Sequence, residues 1–206
     1  FDRSSLDQCM AVANALDFPI LIRVAENSQR EILQALDYGA VGIVTPHIDS
    51  AAKAADLARW ARFGLNGRGF AGSTRWAGYA TQKMSELLKK SKDETIVIAQ
   101  IEEPQGVEDS NAIAATAGID GLFVGPADLS VGYGKIDQNS QELKKAFFKV
   151  SKAAKNNQKT FMSFVPDAAK AKKWHAAFGL TMFFIASEHI WMRCGADNAA
   201  TGIHEI

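Results

Sequence analysis

Residues 96–104 read I-V-I-A-Q-I-E-E-P and residues 118–130 read G-I-D-G-L-F-V-G-P-A-D-L-S, with a helical interval between them. Two apolar runs of strand length, Ile96–Ile101 and Gly121–Val124, each lead to a carboxylate, Glu102 and Asp128. In the interval, Val107, Ile113, Ala114 and Ala117 recur at about helical spacing, and Gly118 stops the pattern. A strand–helix–strand unit with a right-handed crossover leaves its strands parallel and adjacent. Both carboxylates then emerge at the C-terminal edge of the sheet, where parallel α/β folds build their chemistry. Two hard oxygen ligands, with no Cys or His at ligand spacing, suit Mg²⁺ or Mn²⁺ better than zinc.

The same alternation extends to both sides. A helix with Leu6, Met10, Ala13 and Leu16 on one face, capped by Ser4 or Ser5, ends before Pro19. The strand 19–24 follows and carries Arg23 near its end. Ser28-Gln29-Arg30-Glu31 fits a capping box, and Gly39 closes the helix it opens. The strand 40–46 leads to a helix over 51–63, capped by Asp49 or Ser50. Residues 64–78 hold five glycines with Arg68 and Arg75 and no clear period, which predicts a long loop of the kind that is functional or mobile. A short helix over 83–90 precedes the central unit. A polar loop over 131–139 follows it, then a helix over 141–155, the strand 160–165, a helix over 167–178, the strand 180–186 and a last helix near 190–200.

Six strands thus alternate with helices: 19–24, 40–46, 96–102, 120–125, 160–165 and 180–186. Several are apolar without alternation, as strands covered on both faces are. Pattern alone fits a doubly wound sheet of six strands and an eight-stranded barrel short of its first two strands about equally well.

Composition bounds the reading. A chain of 206 residues with 23 basic and 23 acidic side chains is read as one domain, 1–206, with no bulk charge to attract nucleic acid or a membrane surface. No apolar run approaches the ~18–20 residues of a membrane span. Cys9 and Cys194 stand far apart in apolar contexts, which predicts buried free thiols in a reducing, cytoplasmic setting. The four tryptophans read as core or interface residues, with Trp76 in the long loop also able to line a pocket. His47, after Thr45-Pro46 at a strand end, reads either as a proton carrier or as a polar rim residue, whereas His175, His189 and His204 read as surface or capping residues.

Arg23, Glu102 and Asp128 all fall at C-terminal strand ends. A cation beside two metal-binding carboxylates can polarise a bidentate 2-oxo acid, the arginine stabilising charge as an enolate develops. The alternative is an Arg23 paired with Glu26 or another acid. The 64–78 loop matches neither G-x-G-x-x-G nor a P-loop, so nucleotide binding is rejected.

Taken together, P-I-L-I-R-V (19–24), G-A-V-G-I-V-T-P-H (39–47), R-G-F-A-G-S-T-R (68–75), Q-I-E (100–102) and G-I-D-G-L-F-V-G-P-A-D-L-S (118–130) resemble the metal-dependent class II pyruvate aldolases. That group includes 4-hydroxy-2-oxoheptanedioate and 2-dehydro-3-deoxyglucarate aldolases, and the likeness covers nearly the whole chain. It implies a (β/α)8 TIM barrel in which these six strands are the third to the eighth. It also implies Glu102 and Asp128 as ligands of Mg²⁺, Mn²⁺ or Co²⁺, Arg23 as the residue that binds pyruvate oxygen, and Gln100 as support for substrate or metal-bound water. The backbone of Ala127 and Asp128, with Ser73, would receive the pyruvate carboxylate, and Val165 would line the aldehyde side.

The implied reaction is reversible cleavage of a 4-hydroxy-2-oxo acid to pyruvate and an aldehyde through a metal-bound enolate, by a homo-oligomer (a hexamer or trimer of dimers) that exchanges C-terminal helices. The group's general base is a histidine in a Glu-His-x-Pro segment. By resemblance Phe1-Asp2 continues the loop that carries it, so the first two strands and that base are expected upstream of Phe1. A citrate-lyase-like or malyl-thioester lyase, and a non-catalytic oxo-acid-binding barrel, are the other readings.

Overall fold

The computed structural model describes residues 2–204, and of His204 only the backbone. In chain order the elements are α1 (Arg3–Ala15), β1 (Leu21–Arg23), α2 (Gln29–Asp37), β2 (Gly42–Thr45), α3 (Ala51–Trp60), α4 (Met84–Glu94), β3 (Ile96–Ile101), α5 (Pro104–Glu108), α6 (Ser110–Ala115), β4 (Gly121–Val124), α7 (Pro126–Gly132), α8 (Gln141–Asn156), β5 (Thr160–Val165), α9 (Ala168–Phe178), β6 (Met182–Ile185) and α10 (Glu188–His204). All six expected strands form, and every neighbouring pair is parallel.

Strand order decides between the two architectures that the sequence pattern allowed. The sheet runs β1-β2-β3-β4-β5-β6 without reversal. A doubly wound sheet reverses its order once, so that same-handed crossovers place helices on both faces. Without a reversal the crossovers fall on one face, and the sheet curls about the other. The fold is therefore a curled parallel six-stranded half-barrel.

The two faces separate by pleat. Val44, Ile98, Phe123 and Met162 form a small apolar layer with Leu21, Met182 and Phe184 on the concave side, where the Phe123 and Phe184 rings meet edge-on at 5.1 Å. Their sequence neighbours Ile43, Val97, Ala99, Leu122 and Phe161 belong instead to the large core shared with Leu36, Leu57, Ile113, Phe147 and Trp174 of the helices. Because side chains alternate along a strand, Gln100 and Glu102 follow Ile98 onto the concave face.

Local chemistry fixes the helix starts. Ser28 Oγ accepts the Glu31 N–H at 3.3 Å, Ser50 Oγ accepts from Lys53, Ser140 Oγ from Leu143, and Asp167 from Lys170. Gly39, with φ at +105°, follows the C-cap of α2 as expected.

Several expectations are corrected. The cap of α1 is Asp2, whose carboxylate accepts the Ser5 N–H at 2.7 Å, not Ser4 or Ser5. Leu16 is exposed at the end of that helix, while Met10 and Ala13 are buried. The interval after β3 splits at Asp109 into α5 and α6. Pro126–Gly132 is a helix where a polar loop was expected to begin at 131, and Pro126 at its start explains it: a fixed φ and no N–H suit the first turn. α3 stops at Trp60, short of 63, and α4 runs on to Glu94. Cys9 and Cys194 are free but exposed, not buried. Trp174 is core as expected, whereas Trp191 is exposed on α10.

The long loop between α3 and α4 is pinned. The Arg68 guanidinium lies 4.6 Å from the Phe63 and 4.6 Å from the Trp76 ring centroid, and its Nη2 donates to Asp37 Oδ1 at 2.6 Å. Its side chain is 0% exposed, and burial pulls its pKa below the usual arginine range while Asp37 opposes the shift. Arg75 Nη1 donates to Asp7 at 2.7 Å and to the Tyr38 carbonyl at 3.2 Å. Trp76 is buried against Arg68 and Leu87. Among the described residues, no helix is long and apolar enough to cross a membrane.

Candidate active site

Glu102 is 3% exposed at the C-terminal end of β3. Each of its oxygens is held. Oε1 accepts the His47 N–H at 3.1 Å, with the His47 ring Nδ1 at 3.3 Å, and Oε2 accepts from Gln100 Nε2. Gln100 is itself buried, and its Oε1 has no partner among the described residues. Leaving a buried amide oxygen unpaired costs about 1–3 kcal/mol, so this atom marks a place where a small polar ligand or water would be stabilised. Glu103 points the other way, its side chain 40% exposed and paired with His47 Nδ1 at 2.8 Å.

The turn that opens α7 closes over this pair. A Cβ on Gly125 would sit 3.2 Å from Glu102 Cβ, 3.3 Å from its Oε2 and 3.4 Å from Gln100 Nε2. Register agrees, since Gln100 pairs with Phe123 and Ile101 with Val124, which sets Glu102 beside Gly125. Asp128 lies three residues on, in the first turn of α7 and not directly at a strand end. It is exposed, as is Ala127, and its carboxylate makes no hydrogen bond among the described residues. Arg23 ends β1 on the open edge of the sheet and lines a groove of about 670 Å³ between that edge and α1 and α2. It has no ion pair with Glu26 or another acid among the described residues.

Two expected residues, Ser73 and Val165, make no hydrogen bond with Glu102 or Gln100 among the described residues. Ser73 is exposed in a loop anchored to α1 and α2. Val165 is fully buried in the helix-side core, its carbonyl accepting from Ala186. His47, which the sequence left between two readings, does face Glu102. His175 is exposed in the last turn of α9, its ring Nδ1 2.7 Å from the Leu180 carbonyl beyond the helix, His189 is exposed beside Glu188, and the His204 side chain lies outside the described residues. Among the described residues no three His, Cys, Asp or Glu side chains form a cation cluster. A cation held by Glu102 and Asp128 would therefore take its remaining ligands from water and substrate. That fits a hard ion such as Mg²⁺, which keeps several waters, better than a closed zinc site.

A parallel half-barrel that gathers buried polar side chains at the C-terminal strand ends is the frame of a barrel enzyme. The chain belongs to the HpcH/HpaI aldolase/citrate lyase family, whose sequence profile matches residues 3–184. Hydroxypyruvate/pyruvate aldolase of Paraburkholderia phytofirmans is 32% identical over 197 residues, 93% of this chain and 74% of that one. 5-Keto-4-deoxy-D-glucarate aldolase of Enterobacter sp. (strain 638) is 30% identical over 178 residues, 84% of this chain and 68% of that one. The match to the Pseudomonas aeruginosa hydroxypyruvate/pyruvate aldolase, 36% identical over 137 residues, spans 64% of this chain and only 49% of the relative. Among solved structures, a family protein from Burkholderia cenocepacia J2315 superposes with a TM-score of 0.90 at 28% identity, covering 98% of this chain and 81% of that one.

Proposed function

We propose that this chain is a divalent-metal-dependent aldolase that cleaves 4-hydroxy-2-oxo acids to pyruvate and an aldehyde. The observation that carries the reading is the buried Glu102, held on both oxygens beside a Gln100 Oε1 that has no partner among the described residues. Glu102 and Asp128 would hold Mg²⁺, Mn²⁺ or Co²⁺, which when bound supplies the positive charge that polarises a 2-oxo group. Gln100 Oε1 accepts from a water or a substrate hydroxyl. Arg23 supplies a second positive charge, from β1, for the oxygen that becomes anionic as the carbon–carbon bond breaks. The N–H groups of Ala127 and Asp128, which lack intrahelical acceptors at the start of α7, would face the pyruvate carboxylate. Ser73 and Val165 enter this reading through the family likeness alone.

The six strands are read as the third to the eighth of a (β/α)8 barrel, supported by the 81% coverage of the Burkholderia structure. The exposed Ile190, Trp191, Met192 and Ile203 on α10 support packing on a second copy, within a homo-oligomer such as a hexamer. The two free thiols support a reducing, cytoplasmic setting.

Oxaloacetate decarboxylation tests the site most directly, because loss of CO2 generates the enolate without removal of a proton by a base. Pyruvate release should be abolished by EDTA, restored by Mn²⁺ or Mg²⁺, and reduced at least ~100-fold in Glu102→Gln. Release unchanged by chelation would exclude the reading. Activity confined to coenzyme A thioesters would move the chain to the lyase branch.

A further inference from the structure

His47 follows Pro46 at the end of β2, and its φ is +57°. Few non-glycine residues adopt this left-handed backbone: Asn, Asp and His do so several-fold more often than others, while β-branched residues are outliers there. The conformation has a specific result at this position. The main chain turns so that the His47 N–H crosses to the next strand and donates to Glu102 Oε1 at 3.1 Å.

The turn is tied down on both sides. The Ile48 N–H donates to the Gln100 carbonyl at 3.1 Å, so β3 holds the turn at the residue two before Glu102. The His47 carbonyl accepts from Lys53 Nζ at 3.2 Å, and that ammonium is paired with Asp49 Oδ2 at 2.5 Å. The imidazole meanwhile engages Glu103 at 2.8 Å and stays on the rim, its side chain 58% exposed. Gln100 takes the second Glu102 oxygen.

A backbone held in a sparsely populated region at a site edge persists only where its surroundings over-determine it, and such residues cluster at functional sites. Here four contacts over-determine it, and one of them lands on the carboxylate that the proposed function makes a cation ligand. We propose that His47 is the positioning residue of the cation site: its left-handed main chain, through the N–H, fixes Glu102 in the single orientation that receives a divalent cation. This rests on the reading of Glu102 as a cation ligand. The histidine tolerates the turn and tethers Glu103, and its ring need not touch the ion.

The role predicts an unusual order of substitutions. Glycine and asparagine keep the left-handed backbone and the N–H, alanine strains it, and a β-branched valine opposes it. Mn²⁺ binding to the full chain, read from the EPR signal of free Mn²⁺ and from titration calorimetry, should be near wild type in His47→Gly and His47→Asn. It should be weaker in His47→Ala and weakest in His47→Val, by about 10- to 100-fold, the usual effect of losing a group that orients a metal ligand. Circular dichroism reports whether each variant folds, and the glycine–alanine comparison carries the test if valine does not. Equal affinity across the series would overturn the proposal, and so would a glycine variant as weak as valine, which would give the role to the ring. Failure of the underlying reading looks different: either wild type does not bind Mn²⁺, or Glu102→Gln binds it equally well.

Discussion

At the scale of single residues, Gly125 shows how little room the site has. Its φ of −81° is open to any L residue, so glycine is needed there for space and not for conformation. A methyl group at that position would press on Glu102 and Gln100 together. Gly125→Ala should lower Mn²⁺-dependent oxaloacetate decarboxylation about 10- to 100-fold while the thermal midpoint moves far less, because the displaced groups are polar side chains at the rim of the core. A parallel loss of stability and activity would instead make Gly125 a folding residue. Asp2 offers a prediction in pH. The Ser5 backbone N–H and side chain hold its carboxyl below its ordinary value of 3.8. A depressed folded value contributes stability above the unfolded value and loses it as pH falls through the folded one. Amide exchange at the first turn of α1 should therefore quicken as pH drops below ~4 relative to the α2 start, once the intrinsic pH dependence is divided out, and Asp2→Asn should abolish that step.

Elements differ in how plainly their residues announce them, for identifiable reasons. Strands are legible because each is a short apolar run, and most of them are bounded by punctuation: Gly39 and Gly118 close the preceding helices, and Pro46 and Pro166 follow the strands. The cap at Ser28 is legible from side-chain type, whereas at α3 the side chains allow Asp49 or Ser50 and the structure selects Ser50. α7 is not, because Gly125-Pro126 is as good a turn as a helix start, and only the packing of Leu129 and the fully formed first turn decide it. The rigidity of the 64–78 loop is hidden for another reason: glycines signal freedom, whereas the restraint comes from Arg68 and its partners 31 residues away at Asp37 and on either side at Phe63 and Trp76. No local pattern encodes that meeting. Arg68→Ala should cost about 3–5 kcal/mol in urea unfolding, since it empties a buried cation site and strands Asp37. An effect below ~1 kcal/mol would mean that the loop is held by its apolar contacts alone.

For the molecule as a whole, the two carboxylates proposed to hold the cation, Glu102 and Asp128, lie in one strand–helix–strand stretch, which is why the sequence alone can suggest them as a pair. What the stretch does not contain is the neighbour across the sheet. His47 reaches Glu102 from 55 residues away, through a backbone conformation that no side-chain pattern announces. The choice between sheet types likewise needs the order of the strands, because periodicity within a strand says nothing about which strand lies beside it. That order, β1 to β6 without a reversal, also bears on how the molecule is made. Among the described strands, each from β2 to β6 pairs with the one synthesised just before it, so none of these five pairings has to wait for sequence still inside the ribosome. From β1 to β6 the growing sheet offers one edge to the next arrival, and this part of the polypeptide can be laid down on itself at the pace of translation.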